Sequence, residues 1–193
     1  MVNTMIQVET SDGIREVTLN SKLLVERKIF ITDEINMEMA NEFAKTIMYL
    51  DDGDQDIDIY INSTGGEVMA GLVMYDVIQA AKSPINIYCV GQAYSMAAIL
   101  LACGTKGRRF MLPHSKAMIH EPLIAGGVGG SATSIRNVSE SILETKRMLV
   151  ELLEKHTDRN MEEVEKAISY DNYMTPEEAI QFGLCDKVVE RLY

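Results

Sequence analysis

Ser95 stands where a β-branched run gives way to an apolar one: Ile85-Asn86-Ile87-Tyr88-Cys89-Val90 precedes Gly91-Gln92-Ala93-Tyr94-Ser95-Met96-Ala97-Ala98. A hydroxyl at a strand-to-helix turn is presented as a nucleophile must be. The first N–H groups of the helix have no partner within it and face any oxyanion formed there. The same place suits an N-cap serine, whose hydroxyl satisfies those N–H groups itself. Attack on a carbonyl at neutral pH also needs a base, and the base needs an orienting partner. The chain holds 3 histidines to choose from. His156, in the polar run Glu154-Lys155-His156-Thr157-Asp158, reads as solvated, and His114, after Pro113, as a turn residue. His120 ends the apolar segment Ala117-Met118-Ile119. The carboxyl edge of a parallel sheet is where α/β proteins place ligands, so His120 is either a base or a half-buried strand-end histidine. Gly65-Gly66 is either a plain turn or a point where backbone approaches a ligand closely. If the helices after Glu67 and Ser95 start side by side, the N–H groups of Gly66 and Met96 converge on one oxyanion. Asp171, in Ser169-Tyr170-Asp171-Asn172-Tyr173-Met174, reads first as a turn aspartate.

These residues need elements to hold them, and the pattern alternates strand and helix. Strands are predicted at 16–19, 27–31, 57–61, 85–90, 108–112, 117–120 and 187–189, and helices at 37–50, 68–81, 95–103, 161–168 and 176–182. Asp51-Asp52-Gly53-Asp54 stops the first helix, and Thr175-Pro176-Glu177-Glu178 opens the last with a cap and a proline at its first position. Strands separated by helices of this length imply βαβ units and a mostly parallel α/β sheet. Residues 131–156 read as one helix, apolar at Ile135, Val138, Ile142, Leu149, Leu152 and Leu153, behind the loose stretch 126–130. It is longer than a crossover needs. Such a helix is a surface helix or one that projects toward another subunit.

Composition narrows the function. The 193 residues suffice for one well-buried domain, and 47% hydrophobic with 24% charged residues is ordinary for a globular chain. A net charge of −11 argues against binding a phosphate backbone. Residues 1–13 lack the basic and apolar regions of a secretory signal, and the apolar run 96–103 is too short to span a bilayer. Cys89, Cys103 and Cys185 sit in apolar runs and read as reduced, buried side chains of a cytoplasmic protein. No CxxC or HExxH spacing is present, so no structural metal is expected.

From about Ser21 to Val189 the chain resembles the ClpP serine peptidases. Ile61-Asn62-Ser63-Thr64-Gly65-Gly66, Gly91 to Met96, Arg109 to Ser115, Met118-Ile119-His120-Glu121-Pro122 and Met174 to Asp186 match in order. The resemblance implies a crotonase-like spiral of ββα units over a single domain, 1–193, with residues 1–16 as loops at an entry pore and 131–156 as a projecting handle helix. It implies Ser95 as nucleophile, His120 as general base, Asp171 as orienting acid, and the N–H groups of Gly66 and Met96 as the oxyanion hole. It also implies self-assembly into heptameric rings, two of them stacked as a tetradecamer. The rings would take unfolded proteins from a Clp-type AAA+ unfoldase that spends ATP, while the peptidase itself needs no cofactor. Tyr49, Tyr60, Phe110 and Val189 fit the apolar surface on which that unfoldase docks.

Some positions depart from the family pattern. Asp58 and Ala80 stand where docking aromatics are usual, and Thr64 replaces the proline of the Gly-Gly turn. Tyr94 replaces a small residue beside the nucleophile and is expected to reshape the substrate pocket. Glu121 replaces glutamine and puts a carboxylate beside His120. Tyr170 replaces an arginine that pairs across the ring interface, and the glycine-rich loop after Pro122 is about two residues longer than usual. These features suggest a paralogue working with another. The competing functions are therefore a partner-dependent ring subunit and, by likeness of fold, a crotonase-type acyl-CoA enzyme, although that class typically uses carboxylates where this chain has serine and histidine.

Overall fold

The computed structural model describes residues 4–11 and 13–192. Strands β1 (Met5–Thr10) and β2 (Gly13–Thr18) pair antiparallel as a separate hairpin. Of the 1–16 segment expected to form pore loops, residues 1–3 and 12 lie outside the described residues. Helix α1 (Leu19–Val25) follows at once, because the Thr18 hydroxyl accepts from the Ser21 N–H at 3.0 Å and caps it. Leu19, predicted to end a strand, thus begins a helix. No residue of α1 is buried, so it leaves no apolar period to read.

Strand β3 (Lys28–Ile31), helix α2 (Met37–Leu50), strand β4 (Ile57–Ser63), helix α3 (Val68–Ala80) and strand β5 (Ile85–Tyr94) then build the parallel core. α2 has the predicted bounds: the Asn36 side chain caps it, and Ala40, Phe43, Ile47 and Leu50 form its buried stripe. Ile31, Ile59, Ile61 and Ile87 share one face of the sheet and are essentially inaccessible, whereas Phe30 on the opposite face is exposed. Helix α4 (Met96–Ala102) is buried at every residue, which explains the unbroken apolar run after Ser95.

β5 is longer than predicted and serves two sets of neighbours. Its first half pairs with β4 and with β6 (Arg109–Met111), and Gln92 to Tyr94 pair in parallel with β7 (Lys116–Ile119). The register against β4 shifts between Ile61 and Ser63, where β5 changes partners. Helix α5 (Ala132–His156), capped by Ser131, buries Leu149, Val150 and Leu153 in its C-terminal part, while residues 131–141 are exposed. Helix α6 (Met161–Ile168), strand β8 (Asn172–Met174), helix α7 (Pro176–Phe182) and strand β9 (Lys187–Val188) complete the chain. β8, three residues given no element from the sequence, pairs antiparallel with β7. Among the described residues the main sheet has 7 strands in the order β3-β4-β5-β6-β9, with β7 and β8 branching from the second half of β5. The predicted α/β class with a mostly parallel sheet is the fold observed.

Candidate active site

The turn between β5 and α4 is a single residue. Because β5 continues to Tyr94 and α4 begins at Met96, Ser95 alone reverses the chain, at φ 54° and ψ −124°. A β-carbon at positive φ is sterically strained, at a cost of order 1–3 kcal/mol, and such strain persists only where the surroundings enforce it. Here the Ser95 N–H donates to the Met118 carbonyl at 2.8 Å, its carbonyl accepts from the Ala98 N–H at 3.0 Å, and its side chain makes no cap. The hydroxyl, freed from capping, lies 2.9 Å from His120 Nε2.

His120 lies just past β7, and its Nδ1 is 3.1 Å from Asp171 Oδ1, just before β8. The antiparallel pairing of Ile119 with Asn172 brings the two residues together. An ionised carboxylate only accepts, so Nδ1 carries the proton toward Asp171 and Nε2 accepts from the serine hydroxyl. The His120 side chain is largely buried, whereas that of Asp171 is 61% exposed.

Across from Ser95, Gly65-Gly66 forms the second wall. The Ser63 hydroxyl donates to the Asp33 carbonyl at 2.6 Å and accepts from the Gly65 N–H at 3.1 Å, which pins the turn. Gly65 has φ +87°, and a Cβ there would meet Tyr94 O at 2.5 Å, Ser95 Cβ at 2.8 Å and Met96 N at 3.0 Å. Gly66 has φ +155° and forms a parallel bridge with Ile35, where a Cβ would lie 2.1 Å from the Ile35 carbonyl oxygen. The flanking bonds of that bridge run from the Ile35 N–H to Gly65 and from the Glu67 N–H to Ile35, so the Gly66 N–H points the other way. Met96 is the first residue of α4 and its N–H has no acceptor within the helix. The two N–H groups named from sequence therefore come from backbone segments in near contact.

A cavity of about 480 Å3 opens at Ser95 and His120, lined by Gly66 and Met96 and by apolar side chains that include Val68, Ile99, Leu149 and Leu153. Tyr94 does not line it: its ring meets Tyr173 edge to face at 5.5 Å instead, so the expected reshaping of the pocket is not observed. The Glu121 carboxylate is engaged by α5, accepting from Lys146 Nζ at 2.6 Å. Ser63, Ile35 and Lys146 escaped sequence reasoning because their parts depend on contacts between distant segments. The Asn62-Ser63-Thr64-Gly65 turn is the one local signal for them.

The other candidates lie elsewhere. His114 is exposed on a turn. His156 is not solvated as predicted: its Nε2 is 2.8 Å from the Tyr75 hydroxyl, and burial, then Lys155 and Arg109, depress its pKa to about 4. Cys89, Cys103 and Cys185 are buried and reduced, and burial pushes the Cys89 and Cys185 thiols up to about 12, the opposite of an activated thiolate. Of the four residues expected to dock an unfoldase, Tyr60 and Phe110 belong to a ladder across four parallel strands. Phe30, Tyr60, Tyr88 and Phe110 stack in sequence at centroid spacings of 4.8, 5.1 and 4.9 Å. Tyr60 and Phe30 line a second cavity of about 470 Å3, which Tyr49, Phe110 and Val189 do not reach. Tyr49 is exposed on α2, and Val189 follows β9, its N–H bonded to the Met111 carbonyl. Among the described residues no helix is long and apolar enough to cross a membrane.

A family model described as Clp protease matches residues 11–192. The match spans the strained serine, the histidine and aspartate aligned with it, and both backbone walls. The chain belongs to the Clp protease family and is thereby a Clp-type proteolytic subunit of the serine peptidase class.

Proposed function

We propose that this chain is the serine endopeptidase subunit of an ATP-dependent cytoplasmic protease, cutting unfolded proteins inside a ring-shaped chamber. The observation that carries the reading is the continuous hydrogen-bonded line from Ser95 through His120 to Asp171. Ser95 Oγ attacks the scissile carbonyl carbon as its proton passes to His120 Nε2. The carbonyl oxygen becomes an oxyanion held by the Gly66 and Met96 N–H groups, which are fixed before reaction and need no reorganisation. Asp171 stabilises the imidazolium. Collapse breaks the C–N bond, and His120 delivers its proton to the departing amine, leaving an acyl-serine. A water molecule then attacks that ester, again giving its proton to His120, and releases the carboxylate product and the free hydroxyl. No cofactor takes part in these steps. The substrate lies extended against Gly66-Glu67-Val68 and the segment after Pro122, where backbone pairing tolerates many sequences.

In this reading residues 1–193 form one peptidase domain. The exposed 131–141 face of α5 supports its use as the handle joining two heptameric rings into a tetradecamer. Tyr60 and Phe110, with Tyr49 and Val189, serve the docking of a Clp-type AAA+ unfoldase, which spends the ATP. A second reading, a ring subunit that depends on a ClpP paralogue, draws on Tyr170 and the exposed Asp171. The pairing of serine with histidine disfavours the acyl-CoA alternative. Ser95→Ala should abolish hydrolysis of a fluorogenic peptide while leaving the assembled particle intact by size-exclusion chromatography. Cleavage persisting in that variant would sink the nucleophile assignment.

A further inference from the structure

Asp171 has the thinnest local support of the three aligned residues. It precedes a three-residue strand that pairs with β7 alone, and its carboxylate is 61% exposed. Two residues further on, Tyr173 lies opposite Met118 in the β7–β8 ladder, and Tyr94 lies opposite the same Met118 in the β5–β7 ladder. Adjacent strands are about 4.8 Å apart, so only long side chains bridge from β5 to β8 across the strand between them. The two tyrosines do so: their ring centroids are 5.5 Å apart with planes at 89°. Tyr94 is bonded directly to Ser95. The contact therefore joins the strand that presents the nucleophile to the strand that presents the acid, on the far side of the strand that leads to His120.

We propose that Tyr94 and Tyr173 are positioning residues whose ring contact fixes β8 against β5 and so holds the Asp171 carboxylate on His120 Nδ1. This rests on the reading of Ser95, His120 and Asp171 as the catalytic triad. The ring contact gives Tyr94 a place beside the triad and outside the cavity lining. Edge-to-face packing depends on the rings and not on the hydroxyls, so phenylalanine at 173 preserves it. Contacts of this kind change an equilibrium about two- to tenfold, which sets the size of the expected effect.

The test is kinetic, on the full chain as it assembles, with a fluorogenic peptide bearing an apolar residue before the cleaved bond. Tyr173 is half exposed, so truncation there leaves the core untouched. Tyr173→Ala should lower kcat about two- to tenfold with KM unchanged, and Tyr173→Phe should recover most of that loss. In an Asp171→Asn background, Tyr173→Ala should have no further effect, because no carboxylate remains to be positioned. Three results would each overturn the proposal: wild-type kcat in Tyr173→Ala beside an impaired Asp171→Asn, equal losses in the alanine and phenylalanine variants, or an undiminished loss in the Asp171→Asn background. Wild-type turnover in Asp171→Asn itself would instead overturn the triad assignment and remove the proposal with it.

Discussion

Asp186 and Asp171 each face a cationic or ionisable partner, and the two contacts are built in opposite ways. Asp186 grips Arg109 with both oxygens, Oδ1 on Nη2 at 2.6 Å and Oδ2 on Nε at 2.9 Å, and Oδ2 also accepts from the backbone N–H groups of Gly107 and Arg109. The other end of Arg109 donates to the carbonyls of Ala102, His156 and Gly183. That knot is buried and ties the ends of α4, α5 and α7 to β6. Asp171 has His120 for a partner, hangs on an edge strand and is mostly solvated. Over-determined ion pairs hold folds together, whereas a carboxylate that orients a base has only to be in the right place. The difference predicts that losing Asp186 costs folding and losing Asp171 costs chemistry.

The largest effect should come from Asp171→Asn. Turnover should fall by about 10^4-fold, as when the histidine of a triad loses its orienting carboxylate, with the thermal midpoint unchanged. A lowered midpoint with normal turnover would reverse the comparison. Next, Asp186→Asn or Arg109→Met leaves half of a buried pair uncompensated and should cost about 3–5 kcal/mol of stability, read from the urea midpoint. Burial raises the Asp186 pKa, but bonds from Arg109 and Gly107 outweigh it and hold the carboxyl below its ordinary 3.8. A carboxyl depressed by folding contributes stability that is present above pH 3.8 and lost as pH falls through the folded value. The wild type should therefore weaken in that acid range, and Asp186→Asn should show less of this loss.

The serine end of the proposed triad sits between these extremes, held by backbone contact rather than charge. Gly65→Ala drives a methyl group to 2.5 Å from the Tyr94 carbonyl at a φ that alanine resists, so it should cost about 1–3 kcal/mol and suppress turnover together. Unchanged kinetics would mean the two walls are not rigidly apposed. The smallest effect concerns His156, whose carbonyl belongs to the arginine knot. Its folded pKa of about 4 lies below the ordinary 6.5, so the unfolded chain takes up the proton first as pH drops. Stability from this source is whole above pH 6.5 and declines toward pH 4, and His156→Phe should flatten the thermal midpoint across that window.

The same contrast explains what was legible beforehand. α2 and the body of α5 announced themselves through long apolar periods, and the β3–β5 core through β-branched runs. α1 and β8 carried no such signal, one having no buried residue and the other only three residues. Gly91 disguised the second half of β5 as a turn. Ser95 and His120 were visible because chain topology places them at strand ends. Asp171 was one of 29 acidic residues, and nothing local distinguished it until β8 brought it to His120. Tyr94, Glu121 and His156 were read one by one, but their partners Tyr173, Lys146 and Tyr75 lie far along the chain.

The most direct test of the central claim is to treat the purified particle with a fluorophosphonate and map the adduct by peptide mass spectrometry, with native mass spectrometry alongside. The account predicts a single adduct on Ser95 within a stacked double ring, lost in Asp171→Asn and retained in Tyr173→Phe. An unlabelled Ser95 in an intact particle, or an adduct on another serine, would contradict it.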